Sequence, residues 1–227
     1  MAISKEDFQT LIEKLTAQNV TLVAVSKIQP LQKILQLYEL GQRDFGENYV
    51  QELVEKQSKL PKDIKWHFIG HLQSNKVKYI APFVHLIHGV DSLKLLKEIN
   101  KQGKSNNRSI NVLLQIHIAT EATKFGLDNS ELDTIINQIS ESPLTHVKIM
   151  GLMGMATYID DVELINKEFK SLKQLFDLYK NSNVENLHFE ILSMGMSADY
   201  KLAIEGGSNM IRIGTLLFGA RGMKDLL

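Results

Sequence analysis

Lys27 ends a short apolar run, Thr21-Leu22-Val23-Ala24-Val25-Ser26-Lys27, at the point where a buried strand gives way to a loop. Desolvation disfavours an ammonium ion, so an amine in such a place loses its proton more readily than a solvated one. A neutral lysine condenses with aldehydes, which makes Lys27 a candidate Schiff-base lysine. Far along the chain stand two segments rich in small residues and hydrogen-bond donors, Ser193-Met194-Gly195-Met196-Ser197 and Arg212-Ile213-Gly214-Thr215. Gly214 allows close approach of backbone to a ligand, and Thr215 adds a hydroxyl, a combination suited to phosphate oxygens. Ser197 has two readings, a phosphate donor or a cap for the helix through Tyr200, Leu202 and Ile204. Arg212 shares a strand face with Met210, pointing into a barrel mouth or out toward a helix. An inward arginine needs an acceptor such as a ring nitrogen or a carboxylate, and a structural ion pair is the other reading.

The elements that must position these residues are legible as an alternation. Short apolar runs occur at Leu22 to Val25, Asp44 to Phe45, Trp66 to Ile69, Val84 to Val90, Val112 to Ile118, Val147 to Met153, His188 to Leu192 and Met210 to Ile213. The second rests on spacing alone, and its entry through Gln42-Arg43-Asp44 leaves its length open. Between the runs, sets such as Leu132, Ile135, Ile136 and Ile139 fall on one helix face. Ser4 with Asp7 and Asp128 with Glu131 have capping-box spacing, while Asp91-Ser92 and Asp160-Asp161 are placed to cap the helices after the fourth and sixth strands. Unbroken β-then-α alternation implies parallel strands with right-handed crossovers. Eight of them predict a (β/α)8 TIM-type barrel, with one extra helix over roughly residues 5 to 17, as a single domain spanning 1–227. Active sites of such barrels lie at the carboxyl ends of the strands, with phosphate after the seventh and eighth. Lys27, Ser193 to Ser197 and Gly214-Thr215 all fall there.

Composition removes several classes of function. Of 227 residues, 26 are basic and 26 acidic, so no net field draws in nucleic acid or an anionic membrane. The absence of cysteine rules out disulfides, thiolate nucleophiles and cysteine-ligated metals, in keeping with a reducing compartment. The amino terminus has no signal-peptide core and no stretch has the length of a membrane span, so a soluble, cytoplasmic protein is expected. His67 and His71 stand four apart with Gly70 between them and no carboxylate at ligand spacing, so no metal site is expected. The methionines, Met150, Met153, Met155, Met194 and Met196, read as adaptable packing around a ring.

Six segments together carry a resemblance: Ala24-Val25-Ser26-Lys27, Phe45-Gly46-Glu47-Asn48-Tyr49, the run from Trp66 to Lys76, Gly151-Leu152-Met153, Leu192 to Ser197, and Arg212-Ile213-Gly214-Thr215. In this order, over almost the whole chain, they resemble the pyridoxal phosphate homeostasis protein family, also described as YggS or PROSC-like proteins. The resemblance implies a barrel like the alanine racemase N-terminal domain, of fold-type III, with pyridoxal 5′-phosphate (PLP) as an internal aldimine on Lys27. It implies that Ser193, Gly214 and Thr215, with Met194, hold the phosphate, that Arg212 faces the pyridine nitrogen, and that Asn48 lies beside the cofactor. Lys124 matches the stretch after the fifth strand, as a second amine near the site or a solvated loop lysine.

Three functions compete on these residues. The first, which the resemblance favours, is a protein that binds PLP, buffers it or delivers it to PLP-dependent apo-enzymes without turnover of its own. The second is an amino-acid racemase or related α-proton enzyme, which needs acid and base on opposite faces of the α-carbon. Tyr49, Tyr158 and Tyr200 remain open as the second partner. The third is a phosphosugar isomerase or aldolase, which leaves the other motifs unexplained. Relatives of this barrel that racemise amino acids carry an additional β domain that contributes to a dimer. This chain stops just after the eighth strand, so a monomer is expected.

Overall fold

The structure is a computed structural model that describes residues 3–121, 125–182 and 184–219. Helix α1 (Lys5–Ala17) precedes a β/α alternation: β1 (Thr21–Val25), α2 (Leu31–Glu39), β2 (Asp44–Glu47), α3 (Val50–Lys59), β3 (Lys65–Phe68) and α4 (Val77–Ile80). It continues through β4 (Leu86–Val90), α5 (Leu93–Ser105), β5 (Ile110–Gln115), α6 (Asn129–Glu141), β6 (Val147–Met153), α7 (Val162–Tyr179), β7 (Leu187–Ser193), α8 (Tyr200–Glu205), β8 (Met210–Ile213) and α9 (Thr215–Phe218). The eight strands are parallel and close into a barrel in chain order, as the alternation predicts. Closure joins β8 to β1, with Arg212 opposite Val23 and Ile213 opposite Ala24. On the other side of β1, Ala24 pairs with Phe45 and Val25 with Gly46. The open length of β2 resolves to four residues.

Two apolar regions hold this arrangement. The larger lies between barrel and helices and includes Phe8 of α1, Leu53 of α3 and Phe169 of α7 against strand residues such as Phe45 and Ile213. A smaller one fills the barrel, with Val23, Leu86, Leu113, Met153 and Met210. Full burial of side chains of this size contributes about 1.5–3 kcal/mol each, before chain entropy is subtracted. Helix starts follow the sequence signals. Ser4 accepts from Asp7 N–H, Ser92 from Leu95 N–H and Asp161 from Leu164 N–H, and Asp128 with Glu131 forms a complete capping box. Among the described residues, no helix is long and apolar enough to cross a membrane.

Candidate functional site

Lys27 is half-buried, two residues beyond the end of β1. Its approach is fixed on one side by β2, because Ser26 N–H donates to the Gly46 carbonyl at 3.0 Å. The next residue, Ile28, has φ +62°, a left-handed conformation that a β-branched residue rarely takes. Such a conformation costs about 1–3 kcal/mol and persists only where surroundings enforce it. The enforcing contact is a 2.6 Å bond from Ile28 N–H to Glu52 Oε1 on α3.

Glu52 belongs to a charged cluster beneath this loop. Lys56 Nζ donates to Glu52 Oε1 at 2.7 Å, to Glu47 Oε1 at 2.8 Å and to the Ser26 carbonyl at 2.6 Å. Ser26 Oγ donates to Glu47 Oε1 at 2.6 Å. Burial pushes the Glu47 carboxyl up to about 7, against the opposing pull of Lys56 and Ser26. Glu47 Oε2 has no hydrogen-bond partner despite its burial.

Asn48, directly after β2, flanks the Lys27 loop. Its Oδ1 is buried without a hydrogen-bond partner. Gly70, after β3, permits the packing of this turn, since a Cβ there would lie 2.4 Å from the Asn48 carbonyl oxygen. On the opposite side of Lys27, Gly214 follows β8 and packs on β1. A Cβ on Gly214 would meet Val25 Cβ at 3.3 Å. Gly214 N–H donates to Ser197 Oγ at 3.3 Å, and Thr215 begins α9 exposed to solvent. Ser197 therefore ties the loop after β7 to the end of β8. The residue at the N-cap of α8 is Asp199, whose carboxylate accepts from Met196 N–H, so the capping reading of Ser197 is not the one observed.

Arg212 points inward, which settles the alternative left by alternation. Its guanidinium donates to Ser193 Oγ at 2.6 Å and to the Gly154 carbonyl beyond β6 at 2.9 Å, placing it among the carboxyl ends of β6 and β7. Burial lowers its pKa to about 10, with the Asp199 charge opposing, so it remains a cation at neutral pH. Ser193 is fully buried and its hydroxyl also meets His88 Nδ1 at 3.2 Å. Met194 is buried in the outer core, with its N–H directed to the Met210 carbonyl. Lys27, Asn48, Gly214 and Thr215 are thus brought to one rim with Arg212. The side chains of Ser193 and Met194 turn into the protein, and Lys124 lies outside the described residues.

His67 and His71 do not act together. His71 stacks on Phe125 at a centroid distance of 4.4 Å and meets Asp91 at 3.2 Å. His67, buried in the barrel, instead stands with Asp44 and the exposed His85 at its amino-terminal mouth, their ligand-type atoms all within 4.8 Å. There the His67 Nε2 contact to Asp44 Oδ1, at 3.0 Å, is already made, and Lys65 Nζ stands 3.9 Å from the other Asp44 oxygen. The Asp44 carboxylate is thus already engaged by a ring N–H and a neighbouring ammonium. Sequence reasoning missed the Glu47, Lys56 and Glu52 cluster. Its one signal was the four-residue spacing of Glu52 and Lys56 on a helix.

The rim and barrel have known counterparts. The alanine racemase N-terminal domain family matches residues 5–222. A pyridoxal phosphate homeostasis protein of Aquifex aeolicus is 41% identical over 202 residues, covering 88% of this chain and 86% of its own length. The Escherichia coli K12 protein of that name is 38% identical over 208 residues, covering 90% and 87%. Among solved structures, PipY of Synechococcus elongatus with PLP bound superposes with TM-score 0.81 at 35% identity, covering 92% of this chain and 98% of that one. An alanine racemase from Clostridium difficile has TM-score 0.73 at 16% identity and covers 94% of this chain but 59% of its own, a likeness of fold alone. With two-fifths identity over nearly its whole length to proteins of that name, this chain belongs to the pyridoxal phosphate homeostasis protein family.

Proposed function

We propose that this chain binds pyridoxal 5′-phosphate at Lys27 and serves intracellular PLP homeostasis, holding and releasing the cofactor without a turnover of its own. The observation that supports the reading is the pairing of β1 with both β8 and β2, so that the segment after β1 that carries Lys27 is flanked by the strand ends leading to Gly214-Thr215 and to Asn48. The residues present fit the group. Asn48 Oδ1 is a buried acceptor without a donor, and PLP carries a ring hydroxyl. When bound, PLP supplies an aldehyde able to condense with a neutral primary amine. Gly214 and Thr215 hold the phosphate, Asn48 accepts from the ring hydroxyl, and Arg212 faces the ring nitrogen. An arginine cation there disfavours protonation of that nitrogen, because adjacent like charges repel. A weakly polarised ring suits storage better than carbanion chemistry. Ser193 acts through Arg212, and Met194 closes the site from behind as packing.

The barrel works as one domain over 1–227, as a cytoplasmic monomer, with PLP-dependent apo-enzymes as recipients. The test is a visible spectrum of the purified protein with added PLP, followed by borohydride reduction and peptide mapping. Binding with the label on Lys27, lost in Lys27→Ala, is the expected result. A colourless protein with no label after reduction overturns the reading. The racemase alternative is tested separately by exchange of the α-hydrogen of amino acids in deuterated water, for which no exchange is expected.

A further inference from the structure

A line of polar side chains crosses the barrel interior from the far end to the rim. His67 Nε2 meets Asp44 Oδ1 at 3.0 Å, His67 Nδ1 meets His88 Nε2 at 2.9 Å, and His88 Nδ1 meets Ser193 Oγ at 3.2 Å. Arg212 completes the line by its 2.6 Å bond to the same hydroxyl. His67, His88 and Ser193 are wholly buried, and Asp44 lies at the amino-terminal mouth with its side chain 17% exposed. Lys65, His85 and Arg108 are the other charged or titratable groups facing that end.

Elementary donor and acceptor rules give the line one direction. A guanidinium only donates, so Ser193 Oγ accepts from Arg212. Its own hydrogen then goes to His88 Nδ1, since no other acceptor is recorded for it among the described residues. A neutral His88 with Nδ1 accepting carries its proton on Nε2 and donates to His67 Nδ1. His67 in turn carries its proton on Nε2 and donates to the Asp44 carboxylate, which only accepts. Reasoning from the Asp44 end alone gives the same assignment. Each ring nitrogen and the hydroxyl has a matched role, and the bond dipoles all run from the cation at the rim to the anion at the opposite mouth.

We propose that His88 and His67, with Asp44 as their terminus, are positioning residues of the cofactor site: a one-way hydrogen-bond relay that holds the Ser193 hydroxyl and so orients the Arg212 guanidinium. The inference rests on the PLP-binding reading for its purpose, though not for its geometry. It also accounts for Ser193, whose proton is committed to the barrel interior and is not available to a phosphate.

The test uses the full-length protein. Nitrogen-15 NMR is expected to find the His88 proton on Nε2 and His67 Nδ1 bare, accepting from it. The Arg212 Nη hydrogens are expected to be ordered and slowly rotating, with or without PLP. Asp44→Ala, at a partly exposed position, removes the terminal acceptor. It is expected to blur the Arg212 resonances, weaken PLP binding by about threefold to tenfold and move the pH midpoint of the bound chromophore. Asp44→Asn retains an oxygen acceptor and should restore part of each effect, and Lys65→Ala, which leaves the line intact, should change none. The proposal is overturned by a proton on His88 Nδ1. It is equally overturned if Asp44→Ala leaves the Arg212 resonances unchanged, whether or not PLP binds. Ordered Arg212 resonances lost in Asp44→Ala, in a protein that takes up no PLP, would support the relay while removing the function proposed above.

Discussion

Lys56 Nζ on α3 lies 2.6 Å from the carbonyl of Ser26, the residue immediately before the candidate Schiff-base lysine. A helix lysine thereby grips the strand end that leads to Lys27, with Glu47 and Glu52 accepting from the same ammonium.

Removing that grip is expected to be costly. Lys56→Met leaves Glu47 buried without its cation, a defect worth about 3–5 kcal/mol. Urea unfolding should register the loss, and PLP uptake should fall further than in a surface variant such as Lys59→Met.

Glu47 gives a pH signature with a definite sign. Its carboxyl is raised by burial from 4.5 to about 7, so the folded state holds the proton more tightly than the unfolded chain. Its contribution is full below about pH 4.5 and is lost as pH rises through 7. Glu47→Gln mimics the protonated acid, so the stability of wild type relative to this variant should decline from pH 5 to pH 8. Thermal unfolding across that interval checks it, and a flat difference would contradict the raised carboxyl.

His88 acts in the opposite sense. Burial holds its pKa well below 6.5, aided by the Arg212 charge, so the folded ring stays neutral. Its stabilisation is present above pH 6.5 and is lost as the unfolded chain takes up a proton below that value. The expected slope is about 1.4 kcal/mol per pH unit on the acid side. His88→Gln should remove one proton from the measured slope between pH 6 and 5.

Gly70 is a steric prediction. A Cβ there falls 2.4 Å from the Asn48 carbonyl oxygen, which is backbone and cannot swing aside. Gly70→Ala should cost about 1–3 kcal/mol by overpacking. It should also weaken PLP binding, because the turn that carries Asn48 must shift. Equal PLP affinity in the folded variant would detach Asn48 from the cofactor.

Strands and their order were legible because each buried strand is a compact apolar run and each crossover helix keeps a 3.6-residue stripe. The rim was legible for the same reason: Asn48 and Gly214 directly follow strands and Lys27 stands two residues past one, so topology alone brings these segments to one end of the barrel. What lies between strands was not. His88 and Ser193 are 105 positions apart, and alternation gives a histidine in a strand no sign that its partner lies across the barrel. Ser197 was ambiguous because one hydroxyl with a glycine nearby suits both a cap and a loop tie. The choice was made by Asp199, which takes the N-cap position two residues later. Glu47 reads as an ordinary strand-end carboxylate until α3 brings Lys56 over it.

Closure of the ring between β1 and β8 has a consequence for biogenesis. The proposed amine follows the first strand to emerge during synthesis, and the proposed phosphate loop follows the last, which pairs with it. On the proposed site, a nascent or truncated polypeptide would hold only half of the grip, so vitamin capture would become a signal that the barrel has been sealed.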